Sequence, residues 1–188
     1  MKLHFFALFF GLCLSLGAHA ANPQVEMKTN LGSFTLELYP DKAPKTVENF
    51  LKYVKSGFYK GTVFHRVIDN FMIQGGGFDT NLREKETFGP IQNEANNGLK
   101  NEIYTIAMAR TNNPNSATAQ FFINAKDNHF LNFTEPKPRG FGYAVFGKVV
   151  NGQETVMKIA KVKTAPRDPL PADVPLENVV IEDVKLLP

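Results

Sequence analysis

The run Val63-Phe64-His65-Arg66-Val67-Ile68, closely followed by Phe71-Met72-Ile73-Gln74-Gly75, decides how this chain is read. Both segments are short, rich in large apolar residues, and read as strands. Successive side chains of a strand face opposite sides of the sheet. Met72 and Gln74 then share one face and Ile73 takes the other. The same arithmetic puts Gln120 and Phe122 on one face of Gln120-Phe121-Phe122-Ile123, with Phe121 and Ile123 opposite. Two strands thus have a wholly apolar face for the core and a second face mixing a Gln with a large apolar side chain. Apolar pockets beside amide groups make a binding surface, although a solvated Gln is an equal reading for either segment alone. Alternation also gathers Phe64, Arg66 and Ile68 on one face. An Arg so flanked is more often a snorkelling surface side chain than a catalytic one, and His65 more often a hydrogen-bonded structural histidine than a base.

Outward from these segments the chain is mostly short strands. Val25 to Thr29 and Ser33 to Leu38 alternate around Asn30-Leu31-Gly32, which reads as a hairpin. Tyr104 to Ala109, Gln120 to Asn124, Tyr143 to Val149 and Val179 to Leu187 complete the set. Two helices interrupt it. Lys45 to Ser56 follows Ala43-Pro44, with Thr46 as cap, Val47, Phe50, Leu51 and Val54 as its apolar stripe, and Gly57 as its stop. Glu154 to Ala160 is the second. Many strands with two helices predict a mainly β protein, an antiparallel sheet closed or sandwiched on itself. Thr164 to Pro175, with Pro166, Pro169, Pro171 and Pro175, reads as a rigid loop before the last strand rather than a PxxP ligand. Gly75-Gly76-Gly77 reads as a bulge or tight bend, since no helix follows to make it a phosphate site.

Composition bounds the function. The chain has 188 residues, 43% hydrophobic and 21% charged, with a net charge of +3, which suits one globular domain. No Lys/Arg run is present, so there is no nucleic-acid footprint. Lys2, the apolar stretch Phe5 to Leu16 and Ala18-His19-Ala20 read as a secretory leader cut after Ala20, too short to span a membrane. Residues 1–20 are then the leader and 21–188 a single domain, with no membrane attachment once the leader is cut. Cutting removes the only Cys, Cys13, and leaves His65 and His129 as the only histidines. Zinc needs three or four Cys, His or carboxylate ligands, so no metal or other cofactor is expected. Ser33, Ser56 and Ser116 lie outside any G-x-S-x-G elbow.

Taken together, Phe64 to Ile68, Phe71 to Gly76, Gln120 to Ile123 and Val145-Phe146-Gly147-Lys148-Val149 resemble a cyclophilin, a peptidyl-prolyl cis-trans isomerase. Ala43 to Phe50 resembles that family's first helix, and the match is collinear over most of the chain. The resemblance implies a closed eight-stranded antiparallel β-barrel capped by two α-helices, with the active groove on the outer face. It also makes Arg66 the catalytic residue, with Gln74 and Phe71 beside it. Met72, Ala109, Arg110, Gln120, Phe122, Phe130, Leu131 and Tyr143 become the substrate-binding positions. Phe130 stands where well-known eukaryotic members have Trp, Tyr143 where they have His, and Arg110 where they have Asn. These departures resemble the exported bacterial branch. They imply weak cyclosporin binding, a periplasmic monomer (secretion to the medium being the alternative), and proline-containing peptides and unfolded exported proteins as partners. Two rival readings remain at this point: a module that holds Pro-containing segments with incidental turnover, and a barrel that carries lipophilic ligands in its lumen.

Overall fold

Alternation between Gln24 and Leu38 produces a hairpin. The computed structural model describes residues 21–188, so the expected leader lies outside the described residues. Strand β1 (Gln24–Thr29) pairs antiparallel with β2 (Gly32–Leu38), burying Val25, Met27, Phe34, Leu36 and Leu38. Helix α1 (Pro44–Lys55) follows, then β3 (Thr62–Ile68), β4 (Met72–Asp79), β5 (Thr105–Met108), β6 (Phe121–Asn124) and β7 (Val145–Asn151). Helix α2 (Gln153–Ala160), β8 (Thr164–Arg167), β9 (Leu170–Pro175) and β10 (Ile181–Leu186) end the chain.

Eight of these strands form one sheet in the order β10-β1-β2-β7-β5-β6-β4-β3. Its edges meet: Gly61 N donates to the Ile181 carbonyl at 2.8 Å, Phe64 N donates to that of Val179 at 2.9 Å, and Val63 lies opposite Val180. The result is a nearly closed antiparallel barrel, which disposes of the exposed edge an open sheet would carry. Leu36, Leu38, Phe64, Ile73, Ile106, Phe121, Ile123 and Phe146 fill its interior, none more than 1% exposed. Phe50 of α1 packs on Phe121 and Phe146, with ring centroids 5.8 and 5.2 Å away. A lumen filled in this way is the opposite of what a lipophilic carrier requires.

Three local expectations need correction. First, Thr46 does not cap α1 through its own side chain. The N-cap position is Ala43, and the carboxylate of Glu94 accepts instead from Lys45 N at 3.2 Å, Thr46 N at 2.8 Å and Thr46 Oγ1 at 2.7 Å. A carboxylate there meets both the unpaired amides and the positive end of the helix dipole.

Second, residues 164–175 are not an irregular loop. β8 and β9 pair as a separate hairpin, whose Val174 is buried with Val63 and Leu82 against the outside of β3. Proline is tolerated because a two-stranded ribbon leaves half its backbone groups unpaired.

Third, Phe64 and Arg66 do not share a face. Phe64 opposes Gly75 while Arg66 opposes Gln74, so His65 is an extra residue in β3. The bulge resets the alternation: Phe64 and Val67 enter the interior, while Arg66 faces out and Ile68 packs in the external cluster. A complementary irregularity falls on Gly76, whose φ is +82° and where a Cβ would come within 2.8 Å of Phe121. The glycine run is therefore a bulge inside β4.

Candidate active site

The outer face of β4, β5, β6 and β7 carries a second apolar cluster, separate from the interior. Met72, Ala107, Phe122 and Val145 are buried there, with Ile68, Phe71, Ala109, Leu131 and Tyr143 packed around them. The cause is the pleat. Phe121 and Ile123 take the interior, so Phe122 must point outward, where Met72 and Ala107 on the flanking strands meet it. Covered only in part, this cluster becomes the floor of a surface pocket of about 110 Å³. Nine residues line it: Arg66, Phe71, Met72, Gln74, Ala109, Arg110, Phe122, Leu131 and Tyr143. All nine are positions singled out in the sequence.

The remaining two lie at its margins. Gln120 sits in an adjoining pocket of about 340 Å³ that also contains Gln74, Glu84, Thr111 and Ser116. Gln74 Nε2 donates to Gln120 Oε1 at 3.0 Å, which joins the two pockets by one amide pair. The Gln120 side chain has room because it lies over Gly77, where a Cβ would come within 2.5 Å of it. Phe130 stacks on Phe71, with centroids 5.7 Å apart and planes inclined by 24°, and it remains 75% exposed. It is a wall standing out of the rim rather than part of the floor.

Arg110 is held in place on the far side. Its Nε donates to the Gly142 carbonyl at 3.0 Å and its Nη1 to that of Thr111 at 2.9 Å. Its guanidinium lies 4.6 Å over the Tyr143 ring, which meets Phe122 edge-on at 5.6 Å. Arg66 is placed differently. It opposes Gln74 across the β3–β4 ladder, yet among the described residues no hydrogen bond joins it to Gln74 or Gln120. Its Nε instead lies 3.8 Å from a carboxylate oxygen of Asp173 in β9.

His65, next to Arg66, is buried against the Phe78 ring at 4.5 Å. Its Nδ1 has no hydrogen-bond partner among the described residues, so the hydrogen-bonded structural histidine expected at this position is only half right. Burial lowers its pKa to about 4. A group so held is neutral at ordinary pH, and it is not among the residues that line the pocket.

A buried amide network behind the rim escaped sequence reading. Asn101, Asn124 and Asn128 are at most 2% exposed. Asn124 Nδ2 donates to Asn101 Oδ1 at 3.2 Å, and Asn128 Nδ2 to Asn124 Oδ1 at 2.7 Å and to the Phe71 carbonyl at 2.9 Å. Asn101 Nδ2 reaches the Leu131 carbonyl at 3.2 Å. The network ties Phe71 and the 3-10 turn His129–Leu131 to β6. In sequence Asn101 and Asn128 look like ordinary loop residues, Asn124 looks like a strand end, and Asp173 looks like part of a proline-rich linker.

A family model described as cyclophilin type peptidyl-prolyl cis-trans isomerase/CLD matches residues 24–186, and the chain belongs to that family. It is 60% identical over 163 residues to a peptidyl-prolyl cis-trans isomerase of Streptomyces antibioticus, covering 87% of this chain and 98% of the relative. It is 55% identical over 160 residues to peptidyl-prolyl cis-trans isomerase B of Escherichia coli strain K12, covering 85% and 97%. Among solved structures, a cyclophilin-type isomerase of Cryptosporidium parvum superposes with a TM-score of 0.70 at 29% identity, covering 89% of this chain and 98% of that one. A second structure of it, in the presence of the dipeptide Ala-Pro, gives a TM-score of 0.69 at 29% identity over 88% and 99%. The activity is therefore peptidyl-prolyl cis-trans isomerisation.

Proposed function

We propose that this isomerase binds a proline ring in the pocket of Phe71, Met72, Phe122 and Leu131, and that Arg66 is the group that speeds rotation. The observation carrying this reading is that two guanidiniums line a pocket with an apolar floor, and while that of Arg110 is tied to the Gly142 and Thr111 carbonyls, that of Arg66 makes no hydrogen bond to Gln74 or Gln120 among the described residues. Rotation about the X–Pro bond crosses a barrier of roughly 18–20 kcal/mol. A ~10⁵-fold acceleration requires about 7 kcal/mol. At the top of the barrier the amide is twisted, resonance is lost, and a lone pair returns to the prolyl nitrogen.

No bond is made or broken, so neither nucleophile nor cofactor is needed. An apolar pocket favours the less polar twisted amide over the resonance-stabilised planar one. Arg66 donates to the prolyl nitrogen or the adjoining carbonyl as the bond turns, an interaction stronger in the transition state than in the ground state. One charge-assisted hydrogen bond contributes roughly 1.5–3 kcal/mol, so the apolar pocket and substrate alignment must supply the rest. Gln74 and Gln120 align the peptide backbone through their shared amide pair. Phe130, Arg110 and Tyr143 contact residues on either side of the proline. The dipeptide Ala-Pro present with the Cryptosporidium parvum relative supports a proline peptide as the ligand class.

The test is the cis-to-trans rate of a short Ala-Pro peptide with sub-stoichiometric protein, beside Arg66→Lys and Arg66→Ala. Lys keeps the charge and loses the planar fork, so both variants should be slow. Near wild-type turnover in either one removes Arg66 from the mechanism. A rival reading as a Pro-peptide holder predicts no acceleration below one equivalent. The leader-like residues 1–20 support a role in folding exported proteins in the periplasm; N-terminal sequencing of the protein from a periplasmic fraction should begin at Ala21.

A further inference from the structure

We propose that Asp173, on the β8–β9 hairpin, is a positioning residue for Arg66. This rests on Arg66 being the group that meets the twisted amide. Arg66 is a long side chain, 45% exposed, on the outer face of β3. Left alone it would sample many rotamers. The carboxylate of Asp173 lies 3.8 Å from Nε, the inner nitrogen of the guanidinium. A contact on that edge restrains the side chain and leaves the terminal nitrogens for the pocket that Arg66 lines.

The hairpin is built to hold this carboxylate. Val174, next in sequence, is buried with Val63 and Leu82. Arg167 Nη1 donates to the Pro175 carbonyl and to Asn178 Oδ1, both at 2.8 Å, which closes the hairpin's base. Asp173 itself has φ near +60°, a left-handed conformation that Asp and Asn adopt more readily than other residues with a side chain. The position that the sequence presents as linker is thus a fixed bracket beside the reacting group.

Both partners are well exposed, so the pair adds little to stability. Its effect falls on orientation, which matters most in the transition state. Replacing Asp173 with Asn keeps the shape, tolerates the positive φ and removes the charge. In the Ala-Pro peptide assay with the full mature chain, Asp173→Asn should lower kcat by about two- to fivefold, with KM unchanged. Added salt should lower wild-type kcat toward that of the variant and leave the variant's kcat unmoved. In an Arg66→Ala background the same substitution should change nothing.

Should Asp173→Asn fold poorly, Asp173→Gly removes the carboxylate while relieving the backbone, and should give the same fall in kcat. Wild-type kcat in a folded Asp173→Asn, a rise in kcat, or an equal loss with and without Arg66 would each overturn the proposal. If Arg66→Ala is itself fully active, the reading of Arg66 fails first, and that single variant distinguishes the two failures.

Discussion

Asn128 and Phe71 are joined by a half-buried hydrogen bond, the Asn128 amide donating to the Phe71 carbonyl at 2.9 Å. The same amide also donates to Asn124 Oδ1. One side chain therefore clamps the loop that carries Phe130 and Leu131 to the strand entry that carries Phe71. Asn128→Ala leaves the buried Asn124 Oδ1 without its donor, at a cost of about 1–3 kcal/mol, while the Phe71 carbonyl keeps the Ala125 N–H. We expect a stability loss of roughly 1–3 kcal/mol in urea unfolding and a raised KM for Ala-Pro peptides. A variant with unchanged stability would show that water replaces the amide.

Phe130 is three-quarters exposed, so its truncation should leave stability within about 0.5 kcal/mol while raising KM. Phe130→Trp adds an indole N–H at the rim. If that donor is what the family's cyclic peptide inhibitor uses, cyclosporin inhibition should tighten by about three- to tenfold, the value of one hydrogen bond. Competition titrations of the two proteins against one peptide substrate measure it directly.

His65 makes stability depend on pH. Burial, aided by the Arg66 charge and opposed by a backbone hydrogen bond to Val63, lowers its pKa from 6.5 to about 4. The unfolded chain therefore takes up a proton near pH 6.5 that the folded chain refuses until about pH 4. Its contribution is complete above pH 6.5, declines between pH 6.5 and 4, and is constant at its low value below that. The full swing is about 3 kcal/mol. Urea unfolding of the wild type should show most of this loss between pH 7 and pH 4.5, and His65→Leu should not. Equal losses in the two proteins would place the titration elsewhere.

Glu94 caps α1 from a distant loop, and α1 contributes no side chain to the pocket. Glu94→Gln should lower the unfolding free energy by about 1–2 kcal/mol and leave kcat/KM for Ala-Pro peptides unchanged. A matching drop in turnover would mean that the loop through Glu94 also shapes the groove.

Much of the barrel was legible in the chain because period-two alternation is a local property. Val25, Met27, Phe34, Leu36, Ile73, Phe121 and Ile123 sit on the side their spacing assigns. Both helices were found from their stripes within a residue of their observed ends. Of the pocket lining, alternation marked Met72, Gln74 and Phe122 as a face apart from the core, whereas Arg66, Phe71, Ala109, Arg110, Leu131 and Tyr143 were pointed to only by the family resemblance. What escaped were contacts whose partners are remote. Glu94 replaces the cap that Thr46 suggested, Asn128 reaches Phe71, and the proline-rich segment 164–175 becomes a hairpin only by docking on β3.

The barrel strands, the filled interior and the outer face of Met72, Gln74 and Phe122 thus follow from the chain alone, since burial of alternate apolar side chains is settled locally. Which way Arg66 points follows only from the folded barrel. A single extra residue at His65 breaks the alternation that linked Arg66 to Phe64. The direction of that guanidinium is then set by a carboxylate on another strand, because an exposed arginine has no preferred direction until a charge in space provides one.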